Sequence, residues 1–357
     1  MKAYDIMGNP LTAQTLSISR FPVYLKTKRS FRELEQAFST LSLAGGDAVS
    51  ASLSVTGRTS FAIRLKNRNN RPLSGTLVVR MDGKTQTREF RDIPAEENRI
   101  MQFRTEKEIS TIPRNGTFSV ATSSGRIEQE FLLRSAFVPK IRKPMVIDGD
   151  LNDWPEGKTL LLTVSDHAVK RLPKQWTDAD NAVRAEIRTA WQESALYFAV
   201  TVFKKTFVQP SQTAAEIWRG DSVQIAFDPL KNAAPDTEKY QDDDFEYAFS
   251  LLNGKPVIYR QYASSAVHDS LLKAVGELKN GSEVQSAVRH YPDRTVYEIA
   301  FMPRAVSPFK LRAGASMRWN ALVNLNNGKG RIGYLELTDG IGWKKCPGRF
   351  LDLVLLP

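Results

Sequence analysis

Indoles held in polar, glycine-bearing loops beside basic side chains are the chemistry this sequence offers most openly. Six tryptophans occur, Trp154, Trp176, Trp191, Trp218, Trp319 and Trp343, and none lies in residues 1–140. Trp191 and Trp319 stand inside strand-like runs and are expected in a core, and Trp154, in LNDWP, is expected to pack under the entering chain. Trp218 in EIWRGD and Trp343 in GIGWKKCPG differ, because both sit in loops at strand ends. An indole face can stack on the C–H face of a pyranose while neighbouring charged side chains hydrogen-bond the hydroxyls. For Trp218 the competing reading is a buried rim residue.

Two acidic runs could hold a cation. YQDDDFEYAF crowds Asp242, Asp243 and Asp244 ahead of a strand, and IDGDLND offers Asp148, Asp150 and Asp153. Calcium is a hard ion that takes about six to eight oxygen ligands and offsets repulsion between carboxylates. The alternative for the first run is a solvated hairpin tip, and the second lacks the glutamate that ends an EF-hand loop. His167, His268 and His290 have neither metal-ligand spacing nor a neighbouring nucleophile signature. The glycines of LAGGDA and NNGKGRIG lack the strand–turn–helix setting of a phosphate loop. A glycosidase needs two facing carboxylates, and nothing here singles out a pair. The chain is expected not to be an enzyme.

Composition narrows the partners. The 357 residues carry a net charge of +11, but residues 1–140 hold 22 Lys and Arg against 13 Asp and Glu, while the remainder is nearly balanced at 28 against 26. The excess is spread singly along alternating strands (Arg58, Arg64, Lys66, Arg68, Arg71, Arg80), whereas a nucleic-acid surface clusters its charge. No nucleic-acid partner is expected. No apolar run approaches the ~20 residues that span a bilayer, so no membrane partner is expected either. MKAYDIMGNP lacks a basic region followed by an apolar stretch, as a signal peptide would have. Cys346 is the single cysteine, which excludes an internal disulfide framework.

The elements that must position these residues are almost all strands. AVSASLSV, TSFAIRLK, GTLVVRMD and EQEFLLRSAF alternate or run apolar for strand lengths, and Asp82-Gly83 is hairpin chemistry. SFRELEQAFSTLSLA, 30–44, reads as a helix, with Ser30 as cap and Glu33 three residues on. Residues 47–140 make about seven short strands, enough for one fibronectin-like or immunoglobulin-like sandwich. After a proline-bearing linker, about nine more strands and no long helix predict a second, larger sandwich. The fold class is therefore all-β, two consecutive β-sandwiches. The boundaries read as 1–45 for an N-terminal hairpin and helix, 46–140 for the first sandwich and 141–357 for the second.

The motifs MVIDGDLNDWP, TAWQESALYFAVTVF, IWRGDSVQIAFDP, DDDFEYAFSL, VYEIAFMPRA and NLNNGKGRIGYLEL occur in that order. Together they resemble family 9 carbohydrate-binding modules and their relatives in the DOMON-like superfamily, over about residues 143–357. The resemblance implies a β-sandwich in which two tryptophans clamp a terminal sugar, here Trp218 and Trp343. It also implies polar contacts from Arg331, which matches a family arginine, and from Gln224, which stands where sugar-binding members have glutamate. Ala248 and Leu322 occupy positions where those members have arginine and glutamine.

Residues 3–27, AYDIMGNPLTAQTLSISRFPVYLKT, resemble the last hairpin of the β-domain that trails the catalytic barrel in some glycoside hydrolases. That resemblance implies a chain beginning inside a domain, with a catalytic domain and any leader upstream in a secreted, extracellular or periplasmic parent. The expected function is a non-catalytic carbohydrate-binding accessory region whose partner is a polysaccharide or oligosaccharide. The competing readings are a spacer without ligand and a glycoside hydrolase in its own right. A haem-binding DOMON reading would need an axial-ligand pattern that is not evident.

Overall fold

The computed structural model describes residues 49–123, 125–233, 237–263 and 275–357, together with three short strands near the start. Those strands are Lys2–Tyr4, Pro10–Leu11 and Tyr24–Lys26, the first pairing antiparallel with both others. The helix expected over 30–44 lies outside the described residues. The chain divides into two compact units. One comprises Met1–Ser54, Phe61–Arg104 and Arg114–Leu133, the other Val55–Ser60, Thr105–Pro113 and Arg134–Pro357.

The first unit is built on two sheets. One orders Gly125–Leu133, Arg114–Thr122, Leu73–Met81 and Lys84–Ile93, the other Val49–Gly57, Ser60–Asn67 and Asn98–Arg104. Alternation explains the layering, since Phe61, Ile63 and Leu65 are buried while Arg64 between them is exposed. Phe61 of one sheet and Phe131 of the other stand 5.9 Å apart, ring centre to ring centre. Asp82 and Gly83 both have positive φ, 52° and 75°, as the expected tight hairpin requires. Arg68, Arg71 and Arg80 are also exposed, which is the solvated-face reading of the basic excess.

The second unit is a larger two-sheet β-sandwich. Its five-stranded sheet runs Leu160–Thr163, Arg184–Gln192, Ala195–Phe203, Thr295–Phe301, Val284–His290. The facing sheet runs Ser135–Val138, Leu351–Leu355, Ser316–Asn326, Ser222–Asp228, Phe245–Leu252, Lys255–Tyr262, Gly276–Glu277, with Arg331–Glu336 also paired to Ser316–Asn326. Between them lies one core that includes Phe198, Val223, Ile225, Phe227, Tyr247 and Phe301. Trp191 and Trp319 are fully buried in it, as the sequence predicts. Trp154 lies in a smaller cluster and donates its indole N–H to the buried Glu298 at 2.8 Å.

Ser135–Val138 belongs to this second sandwich, ahead of the boundary drawn at 140/141. It pairs in parallel with Leu351–Leu355, placing Ala136 against Leu353 and Val138 against Leu355. Its apolar run continues the preceding strand in sequence, so only the long-range pairing reveals the switch. The fragment 134–357 should therefore melt above the fragment 141–357. Losing two buried side chains and uncovering their partners costs about 2–4 kcal/mol, on the order of 10 °C at this size. Scanning calorimetry showing equal melting temperatures would mean that the edge strand contributes nothing.

Candidate functional site

The outer face of the larger sheet is the unusual one, because it too is covered. Along Ser222–Asp228 the pleat sends Val223, Ile225 and Phe227 into the core and Ser222, Gln224, Ala226 and Asp228 to the other side, yet all seven are buried. Cross-strand pairs place Leu322 and Ala248 on either side of Gln224. Ala248 lies in an apolar cluster with Ala214 and Ile217, and Leu322 in another with Tyr334, Ile341 and Phe350. These two positions, where the resemblance expects arginine and glutamine, are thus apolar and closed.

Between the clusters runs a polar strip. Asn324 donates through Nδ2 to Ser222 Oγ at 3.0 Å and to Gln224 Oε1 at 2.9 Å. Gln224 Nε2 donates in turn to Glu246 Oε1. The other oxygen of Glu246 accepts from the Tyr240 hydroxyl and from Lys345 Nζ, the latter at 2.6 Å. At the opposite end Arg331 Nε donates to Asn324 Oδ1 at 2.8 Å. Gln224, expected to contact a ligand, is only 5% exposed and engaged at both ends of its amide, so it lies beneath the surface. Arg331 is the half-buried member through which the strip meets solvent.

Trp218 rides on the short helical turn Ala214–Arg219, anchored by the fully buried Ile217. In the following Arg-Gly-Asp, Arg219 is exposed while Gly220 and Asp221 are buried. A Cβ on Gly220 would stand 2.4 Å from Gln209 Oε1, so the Gln209 amide packs directly on this glycine. Asp221 accepts from Lys204 Nζ at 2.6 Å, Val208 N at 2.8 Å and Asn326 N at 2.9 Å, tying three segments together. Trp218 itself is half-buried, with the guanidinium of Arg331 5.4 Å from its ring.

Trp343 is 73% exposed on the segment after Arg331–Glu336. That segment is held by Asn320, which exchanges hydrogen bonds with the backbone of Thr338, and by Glu336, which accepts from Ile341 N. A Cβ on Gly342 would fall 2.2 Å from the Tyr334 ring, so the backbone before Trp343 lies directly on that ring. The guanidinium of Arg171 sits 5.1 Å from the Trp343 ring and close enough to the Tyr334 hydroxyl to act on its charge, while Arg331 lies 4.9 Å from the Tyr334 ring. The two loop tryptophans are therefore joined through one tyrosine and two arginines. Arg171 and Tyr334 were not singled out in the sequence. Asn324 could have been, since WNALVNLN repeats asparagine at alternate positions of an otherwise apolar strand.

The acidic runs resolve differently from one another. Asp228, Asp243 and Asp244 are all buried and bring carboxylate oxygens within 4.8 Å of one another. Asp242 is exposed and does not join them, whereas Asp228 completes the group because Phe227 pairs with Phe245 across the strands. Asp243 accepts from Leu230 N and Asn232 Nδ2, and Arg318 approaches Asp228 at 3.2 Å. Asp244 Oδ1 is buried without a hydrogen-bond partner. Burial raises Asp228, and it raises Asp244 to about 8, with the neighbouring carboxylates adding to both shifts. Asp148, Asp150 and Asp153 instead each accept from a backbone N–H of their own loop, at Asp150, Asn152 and Val146.

Residues 157–300 match a family model described as carbohydrate family 9 binding domain-like. The second unit carries a family 9 carbohydrate-binding-module-like domain. A solved family 9 module from Caldicellulosiruptor kristjanssonii in complex with cellotriose is 20% identical, covers 62% of this chain and 94% of its own, and superposes with a TM-score of 0.44. The same organism's module in complex with glucose is 19% identical, covers 62% and 95%, and gives 0.41. No curated protein matches the sequence.

Glu336, which fastens the Trp343 segment, carries a carboxyl raised by burial to about 7, against hydrogen bonds from Ile341 N, Gly342 N and Asn320 that lower it. An unfolded glutamate titrates near ~4.3. The folded state therefore binds the extra proton between these values, and stability falls as pH rises through that window. Glu336→Gln removes this dependence while keeping an acceptor for Ile341 N. Its melting temperature relative to the unaltered protein should climb from about pH 4.5 to 7 and level off above. A difference that stays flat over that range would mean the carboxyl titrates normally.

Proposed function

We propose that this chain is a non-catalytic carbohydrate-binding accessory region, gripping a sugar between Trp218 and Trp343. The observation that carries the reading is the convergence of two accessible indoles on Tyr334, one through Arg331 and the other through Arg171. Indole faces supply sequence-independent stacking on pyranose C–H groups, and guanidinium N–H groups supply directional bonds to oxygens. Arg331 meets the ligand directly, and Gln224 acts from beneath by orienting Asn324. The family model supports the sugar as ligand class. In this reading the region serves an upstream glycoside hydrolase domain of a secreted parent, extracellular or periplasmic, and its partner is a polysaccharide or oligosaccharide.

The test is a glycan array with the intact chain, followed by tryptophan-fluorescence titration of each hit. Trp343→Ala should weaken binding about tenfold or more, equivalent to roughly 1.4 kcal/mol. Its melting temperature should hold, since the exposed ring contributes little packing. Trp218→Ala should weaken binding similarly, and the double variant should abolish it. A Trp218→Ala protein that loses about 3–5 kcal/mol of stability would return that ring to the core. A folded chain that binds no sugar at all would leave a spacer.

Calcium completes the proposal. Three buried carboxylates, one with an orphaned oxygen, suit a hard cation with oxygen ligands, and Asp228, Asp243 and Asp244 would hold it. Its role would be structural, neutralising repulsion where two strands end. Calcium at a hundredfold excess over its dissociation constant should stabilise the fold by about 2.7 kcal/mol, roughly 5–10 °C in a melt at this size. Asp244→Asn should lose that response. A melting temperature identical in chelator and millimolar calcium would reduce the three aspartates to an internal network.

A further inference from the structure

Charge at the two indoles is one-sided. Arg171 lies against the Trp343 ring and Arg331 against the Tyr334 and Trp218 rings, and burial, with Arg171 adding to it, lowers Arg331 to about 10. Neither forms an ion pair with a carboxylate among the described residues. Every nearby acid is already engaged. Glu246 is bound by Lys345, Tyr240 and Gln224, and Asp221 by Lys204. Glu216 pairs with Arg219. Glu336 is taken up by the Trp343 segment and Asn320. Two neighbouring guanidiniums with no directly paired carboxylate among the described residues, one of them half-buried, repel each other in a setting that weakens solvent screening. A bound anion removes that cost, and planar guanidiniums match carboxylate and sulfate oxygens in bidentate geometry.

We propose that the ligand is an acidic sugar, a pyranose bearing a carboxylate or a sulfate whose oxygens bridge Arg171 and Arg331 while the ring lies between the indoles. This rests on the carbohydrate-binding reading above and adds the ligand's charge to it. Neutral sugars would satisfy the stacking faces but leave the two cations unrelieved. Tyr334 lies between the pair, with the Arg331 guanidinium 4.9 Å from its ring and Arg171 near its hydroxyl.

The experiment titrates the intact chain with three probes of equal length: an oligogalacturonate, a sulfated oligosaccharide and cellotriose. At about 50 mM salt at least one anionic probe should bind tenfold or more tighter than cellotriose, and the gap should narrow by about 500 mM as screening shortens the reach of charge. Arg171→Gln, at an exposed position, should erase most of that gap with the melting temperature unchanged. Arg331→Lys keeps the charge but loses the planar fork, and should weaken the anionic probe more than cellotriose. Preference for uronate over sulfate, or the reverse, identifies the anionic group. Cellotriose binding as tightly as both anionic probes would overturn the acidic-sugar inference and leave the carbohydrate reading standing. An anionic preference untouched by Arg171→Gln would also overturn it, assigning the effect to the chain's general positive charge. Failure of all three probes, and of every glycan on the array, would overturn both.

Discussion

Burial of the strand Ser222–Asp228 on both faces is the constraint from which the rest of the site follows. An antiparallel sheet usually leaves one face to water, and its outward polar residues then need no partner. Here the outward residues Ser222, Gln224, Glu246, Asn320 and Asn324 are covered, so each must be satisfied inside the protein. Leaving one buried donor or acceptor unmade costs about 1–3 kcal/mol, which makes the chain Asn324–Gln224–Glu246 all but obligatory. Only its ends reach solvent, as Arg331 on one side and Lys345 on the other. The charges offered at the surface are thus set by hydrogen bonds made beneath it.

The two indoles inherit this rigidity by different devices. Trp218 is fixed through its backbone neighbours, with Ile217 buried before it and the Gly220–Asp221 pair pinned after it. The backbone leading into Trp343 is placed by the close approach of Gly342 to the Tyr334 ring and by a carboxylate that gathers the preceding N–H groups. Gly340, at φ 127° and with the Cys346 carbonyl 2.6 Å from where a Cβ would lie, closes that segment on itself. Ring positions set this way would need little ordering if a ligand stacked on them, a cost that mobile loops would pay as entropy.

Much of this architecture was legible in the sequence, because period-two alternation reports strands and glycine-bearing loops report their ends. Asp82-Gly83 gave its hairpin and Trp191 and Trp319 their burial for that reason. What alternation cannot report is which distant segments meet. Ser135–Val138 follows the preceding strand after Arg134 alone, with no turn residues between, so its parallel pairing with the last strand leaves little local mark. Arg171 reaches Trp343 from far away in the chain, and no motif links them. Asp228 joins Asp243 and Asp244 through strand register, while Asp242, equal to them in composition, is exposed in the turn ahead of the strand. Gln224 was identified by position within a motif, yet the covered face decides whether such a residue touches a ligand or supports one that does.

The aspartate cluster and the indoles use opposite ends of one strand, and that separation defines what a cation could do. Gln224 and Asp228 are four positions apart on the strand, about 13 Å at the rise of a strand. An ion held by Asp228 is therefore beyond reach of a sugar stacked on Trp218. Its influence would travel along the chain instead. Asp243 holds the backbone of Leu230 and the side chain of Asn232, and Asp244 holds the backbone of Gln241. The next residue back is Tyr240, whose hydroxyl binds Glu246, the terminal acid of the polar strip. A cation that neutralised the three carboxylates would act on the segment that presents Tyr240 and, through Glu246, Gln224 and Asn324, on the orientation of Arg331.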